Sequence, residues 1–96
     1  MTERWKYYLL DDGRGGPYEI YRQIDNGNPF YGHREPGSIY LARSNGEWSN
    51  HVDDIRGLVN ASLCGDFDPA DGEISENEAL IRLEQWRTTG PWPGRP

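Results

Sequence analysis

The chain has 96 residues and a net charge of -6, with 16 acidic against 10 basic side chains. That length fits one domain and leaves too little chain for a second independent core. The acidic balance argues against nucleic acid or an anionic membrane as partner, since both need clustered Lys and Arg; the single cysteine excludes an internal disulfide framework and a multi-cysteine zinc site.

Leu, Ile and Val are sparse, and a core must draw instead on 4 Trp, 6 Tyr and 2 Phe, each ring burying roughly 150–250 Å². No apolar run approaches membrane-spanning length. Met1-Thr-Glu-Arg4 lacks the basic-then-apolar pattern of a secretory leader, so the cytoplasm is the expected compartment.

Two aromatic-rich runs, about 4–10 and 17–23, flank the glycine-rich stretch Asp11 to Gly16 and read as a β-hairpin. In the first run, alternation sets Trp5, Tyr7 and Leu9 against Lys6, Tyr8 and Leu10, so both faces carry apolar groups. Such a strand belongs inside a sheet. In the second, Tyr18, Ile20 and Arg22 oppose Glu19, Tyr21 and Gln23. Gly13, Gly15 and Gly16 are expected to supply positive φ in the turn. A phosphate-cradling reading of these glycines fails for want of a following helix and a Lys-Ser/Thr pair.

Asp25 to Gly37 is a polar loop longer than a hairpin connection needs. Phe30, Tyr31, His33 and Arg34 offer stacking, hydrogen bonding and charge within five positions, a composition suited to partner recognition. The plainer alternative is a surface loop pinned by one aromatic. A third strand is expected over about 38–43. An Asn45-Gly46 turn leads to a fourth over about 47–52, with Trp48 near the loop.

Helical spacing follows. Ile55, Leu58, Val59 and Ser62 or Leu63 predict a helix over about 54–64, capped by Asp53 or Asp54 and ended by Gly65. Cys64, with no local base, reads as structural. Ser75-Glu-Asn-Glu78 is a capping box. It opens a helix over about 76–87 with Ala79, Leu80, Leu83 and Trp86 as its apolar stripe. The expected architecture is α+β: a four-stranded antiparallel meander with both helices packed on one face. Residues 1–87 form the domain, and 88–96 a flexible Pro/Gly-rich tail whose Trp92 either docks on the body or stays disordered with the Pro and Gly around it.

Asp66 to Glu78 resembles an EF-hand calcium loop lying between two helices. Counting back from Glu78, Gly72 takes the sharp-turn position and Ile74 the apolar one. Phe67 and Pro69 fall at the first and third ligand positions, where the family has carboxylates, as though one residue had been inserted. The resemblance implies calcium, with Asp66, Asp68, Asp71 and Glu78 as ligands; the alternative is a turn followed by a helix cap. More loosely, Trp5 to Tyr8, Gly16 to Tyr21 and Asp71 to Glu76 make the chain similar to small bacterial or phage-associated domains. Those families join an aromatic meander to a C-terminal helix and carry no established activity.

Catalytic parts are scattered. His33 and His51, with Glu35, Asp53 or Asp54 and Arg34, could furnish a small nuclease-like site, yet the acidic composition offers no basic groove. The reading that fits best is a small acidic protein-interaction module without catalytic activity, of the immunity, antitoxin, phage-inhibitor or adaptor kind. Its partner is a protein, and its anchors are Phe30, Tyr31, His33, Arg34 and Trp48. A narrower version makes the carboxylates from Asp53 to Glu78 one stripe that mimics nucleic acid.

Overall fold

The computed structural model describes residues 4–11, 17–27, 29–32, 34–89 and 92–93, without the side chains of 17 and 18. The glycines expected to turn the first hairpin lie outside the described residues.

β1 (Trp5–Asp11) and β2 (Pro17–Ile24) pair antiparallel, from Trp5 against Ile24 onward, with a register shift after Leu10. β3 (Ile39–Ala42) adds to β2 and β4 (Trp48–Ser49) to β3, both antiparallel. A two-residue strand, β5 (Glu73–Ile74), pairs with the other side of β1 through Tyr7 and Tyr8. The sheet order is therefore β4-β3-β2-β1-β5. β1 lies inside the sheet, as its two apolar faces require. Among the described residues three α-helices complete the fold: α1 (Val52–Cys64), the single-turn α2 (Pro69–Gly72) and α3 (Glu76–Thr88). The class is α+β, as expected, with β5 and α2 as additions.

The helices do not share a face. Tyr8, Leu10, Tyr21, Ile39 and Leu41 pack with Ile55 and Leu58 of α1 and with Phe67. Tyr7, Ile20 and Ala42 pack with Ala79 and Leu83 of α3 on the other side. The cause is the double-sided apolar pattern of β1, which leaves rings exposed unless each face has its own cover. The result is a three-layer arrangement, helix on sheet on helix.

The fourth strand is also shorter than expected, because α1 begins at Val52. Its N-cap is His51, whose Nδ1 accepts from the Asp53 N–H at 3.3 Å, in place of Asp53 or Asp54. Asp54 is freed for the interior. At 6% exposure its carboxylate accepts from Arg43 Nη1 at 3.1 Å and from the Ser49 hydroxyl at 2.5 Å. One side chain thereby ties α1 to β4 and to the residue after β3. Gly65 ends α1 at φ 79, the left-handed cap foreseen for it. Ser75 caps α3 by accepting from the Glu78 N–H at 3.1 Å.

Two buried polar groups face α1. The Tyr21 hydroxyl donates to Glu19 Oε1 at 2.6 Å. Gln23, 1% exposed, donates from Nε2 to Ser38 Oγ at 2.7 Å. Tyr8 lies edge-on to Phe30 and Phe67, at centroid distances of 5.0 and 5.8 Å. Burial, with Glu73 and Asp25 nearby, pushes the Tyr8 phenol well above the ordinary tyrosine range.

Candidate functional site

The long loop turns its rings inward. Phe30 sits between Tyr8 and Phe67. Tyr31 donates its hydroxyl to the Ile24 carbonyl at 2.5 Å, and its N–H approaches Gln23 Oε1 at 3.5 Å. Arg34 is exposed, and His33 lies outside the described residues. Trp48 belongs to the other face of the sheet, in the cluster with Tyr7 and Ala42. The loop aromatics and Trp48 thus form no single surface, and Phe30 and Tyr31 pin the loop to the sheet.

Asp66, Asp68 and Asp71 border the same cleft. It measures about 430 Å³ at the C-terminal end of β1 and is lined also by Asp11 and Arg82, over a floor of Leu9, Leu10 and Phe67. Asp68 is committed to capping α2, accepting from the Ala70 N–H at 2.9 Å. Glu78 stands apart, in a shallow depression with Ser75, Asn77 and Ile81, and lies 3.9 Å from Arg82. Among the described residues no three His, Cys, Asp or Glu side chains are grouped to hold a metal ion. As arranged, the four carboxylates do not form one coordination sphere. Gly72 has an ordinary φ, and its lack of a side chain has another cause: a Cβ there would lie 2.4 Å from the Phe67 ring.

The parts of a histidine site are also separated. His51 is occupied as the α1 cap and Asp54 by Arg43, while Glu35 and Arg34 are exposed on the loop. With Asp54 inward, the carboxylates from Asp53 to Glu78 do not run as one exposed stripe.

The α3 side of the sheet holds an arrangement that sequence reasoning missed. α3 lies along β1. On the β2–β4 half of that face, half-buried side chains supply the cover: Trp5, Arg22, Tyr40 and Trp48. Register explains how they meet. Arg22 pairs with Tyr7 on one side and Tyr40 on the other, and Trp48 pairs with Ala42. The small Ala42 lets the Trp48 indole reach inward to Tyr7, at 5.9 Å between centroids. The Arg22 guanidinium is held between two indoles, its Cζ 4.0 Å from the Trp5 ring centre and 4.3 Å from that of Trp48. Tyr40 stands edge-on to Trp5 at 5.4 Å and 6.0 Å from the same Cζ.

Arg22 has no hydrogen-bond or ion-pair partner among the described residues, and its Nε is buried without an acceptor. Other arginines do have carboxylates: Arg43 with Asp54 at 3.1 Å and Arg56 with Asp53 at 3.0 Å. Two desolvated cation–π contacts contribute on the order of 1–4 kcal/mol together. One unsatisfied buried N–H costs about 1–3 kcal/mol. The rings hold the cation in place, but its hydrogen-bonding capacity is unused. The signal in the sequence was an arginine in the stripe of Tyr18 and Ile20, opposite a strand that begins with Trp5.

No family model, curated protein or solved structure matches the chain. Among the described residues no helix is long and apolar enough to cross a membrane.

Proposed function

We propose that this chain is a small cytoplasmic protein-interaction module, of the immunity, antitoxin, phage-inhibitor or adaptor kind, acting without catalysis. Its docking surface is the face formed by Trp5, Arg22, Tyr40 and Trp48. The observation that carries this reading is the Arg22 guanidinium, held against two half-buried indoles and without a hydrogen-bond partner among the described residues. Trp, Tyr and Arg are the residues that dominate binding energy at protein interfaces, because they combine large apolar area with donors at their edges. Pre-stacking removes much of the rotamer freedom that an arginine loses on binding.

Panning a random peptide library on the chain, with counter-selection on Trp48→Ala and Tyr40→Ser, tests this surface. Both variants are first checked for a cooperative thermal melt. Peptides that bind the unaltered chain and lose binding to either folded variant are the expected result. A library whose binders ignore both substitutions removes this face from consideration.

A further inference from the structure

We infer that the group this face receives is a single carboxylate, an acidic side chain of a polypeptide partner, held end-on by the Nη atoms of Arg22. The inference rests on the interaction reading above and names its chemistry.

A guanidinium has two flat faces and five N–H donors in its plane. Here the guanidinium carbon Cζ lies over the rings of both Trp5 and Trp48, 4.0 and 4.3 Å from their centres. Nε is enclosed, which closes the side-on approach through Nε and one Nη. What is left is the Nη pair, reached in the guanidinium plane. Cation–π contact stabilises the charge but leaves those donors unused, and an oxyanion in that plane would satisfy them.

Charge decides which oxyanion. Among the described residues Arg22 is the only cation over Trp5, Tyr40 or Trp48, so the site matches one negative charge. A nucleic-acid backbone needs a row of cations. A phosphate dianion meets a chain of net charge -6, whose summed field opposes a second negative charge. A carboxylate matches the guanidinium in planarity and in spacing of its oxygens. The walls of Trp5, Tyr40 and Trp48 are apolar, so the acidic residue sits between apolar neighbours in its own chain.

The test uses three probes at fixed ionic strength: the acetylated, amidated tripeptide leucyl-glutamyl-phenylalanine, its glutaminyl counterpart, and inorganic phosphate. The readout is the ¹H–¹⁵N signals of the Arg22 guanidinium and the Trp5 and Trp48 indoles. The glutamyl peptide should shift them saturably, with a dissociation constant on the order of 1 mM, and the glutaminyl peptide should bind about tenfold more weakly. Arg22→Lys, which keeps the charge but loses the planar fork, should narrow that difference severalfold. Should this variant fail to fold, the two peptides on the unaltered chain decide. Equal binding by both peptides overturns the carboxylate while leaving the face as an interaction surface. Tighter binding of phosphate than of the glutamyl peptide overturns it in favour of a phosphate receptor. No shift from either peptide overturns both the carboxylate and the face.

Discussion

Gly72→Ala places a methyl group where the Phe67 ring already lies. The added Cβ would be 2.4 Å from Phe67 Cε1, 2.9 Å from its Cζ and 3.3 Å from the Leu9 carbonyl oxygen. Neither neighbour yields easily. Phe67 is 7% exposed and wedged edge-on against Tyr8 and Phe30, at 5.8 and 5.4 Å. Leu9 belongs to β1, inside the sheet. Gly to Ala at an unstrained helical position ordinarily gains about 0.5–1 kcal/mol, whereas overpacking a core costs about 1–3 kcal/mol. The net expectation is a loss on the order of 1–2 kcal/mol, or a midpoint lowered by roughly 4–16 °C for a domain of this size. Thermal and urea melts measure it. Phe67→Leu is the companion change, because it removes the obstructing ring. In that background Gly72→Ala should be close to neutral, a non-additivity of about 1 kcal/mol or more. Equal losses in the two backgrounds, or a Gly72→Ala chain as stable as the original, would refute the steric account and return Gly72 to a turn residue.

Asp54→Ala removes the acceptor shared by Arg43 and Ser49; because Arg43 is 38% exposed and rehydrates, the expected loss is about 2–4 kcal/mol by urea melt, and a change under about 0.5 kcal/mol contradicts the tie between α1 and β4. Tyr8 holds its proton in the fold to a pH well above 10.0, its value when unfolded. Its contribution is therefore full below pH 10 and declines as the unfolded chain ionises, by up to about 1.4 kcal/mol per pH unit. Tyr8→Phe should flatten the fall in stability above that pH, and parallel slopes for the two chains would refute the assignment. For calcium, melts of metal-stripped protein with calcium or magnesium should coincide, since Glu78 stands apart from Asp66, Asp68 and Asp71. A rise with calcium alone, about 2.7 kcal/mol at a hundredfold over the dissociation constant, would place an ion in that cleft.

Local signals survive folding where one residue type answers one backbone need. Gly65 and Ser75 mark helix ends through a left-handed φ and a hydroxyl cap, and both act as their types suggest. The Asn45-Gly46 turn does the same, with Gly46 at φ 89. β5 is different. Two residues show no alternation, and Glu73–Ile74 is a strand only because β1 presents a free edge beside it. The cap of α1 is hidden in the sequence because Asp53 and Asp54 are better capping types than His51. The need of Arg43 and Ser49 for a buried acceptor, invisible in a linear reading, draws Asp54 inward.

The same distinction separates the loop from the sheet as places to meet a partner. Phe30 and Tyr31 looked available because their neighbours in sequence are polar. Their neighbours in space are Tyr8, Phe67 and the Ile24 carbonyl, all supplied by distant segments. In the sequence Arg22 is one member of the stripe it shares with Tyr18 and Ile20. In space its neighbours come from β1 and from β4, two strands away, so only the register across β1, β2, β3 and β4 brings both indoles to it. Rings that find apolar partners stabilise the fold. A cation that finds rings but, among the described residues, no acceptor is the group on which the proposed docking face rests.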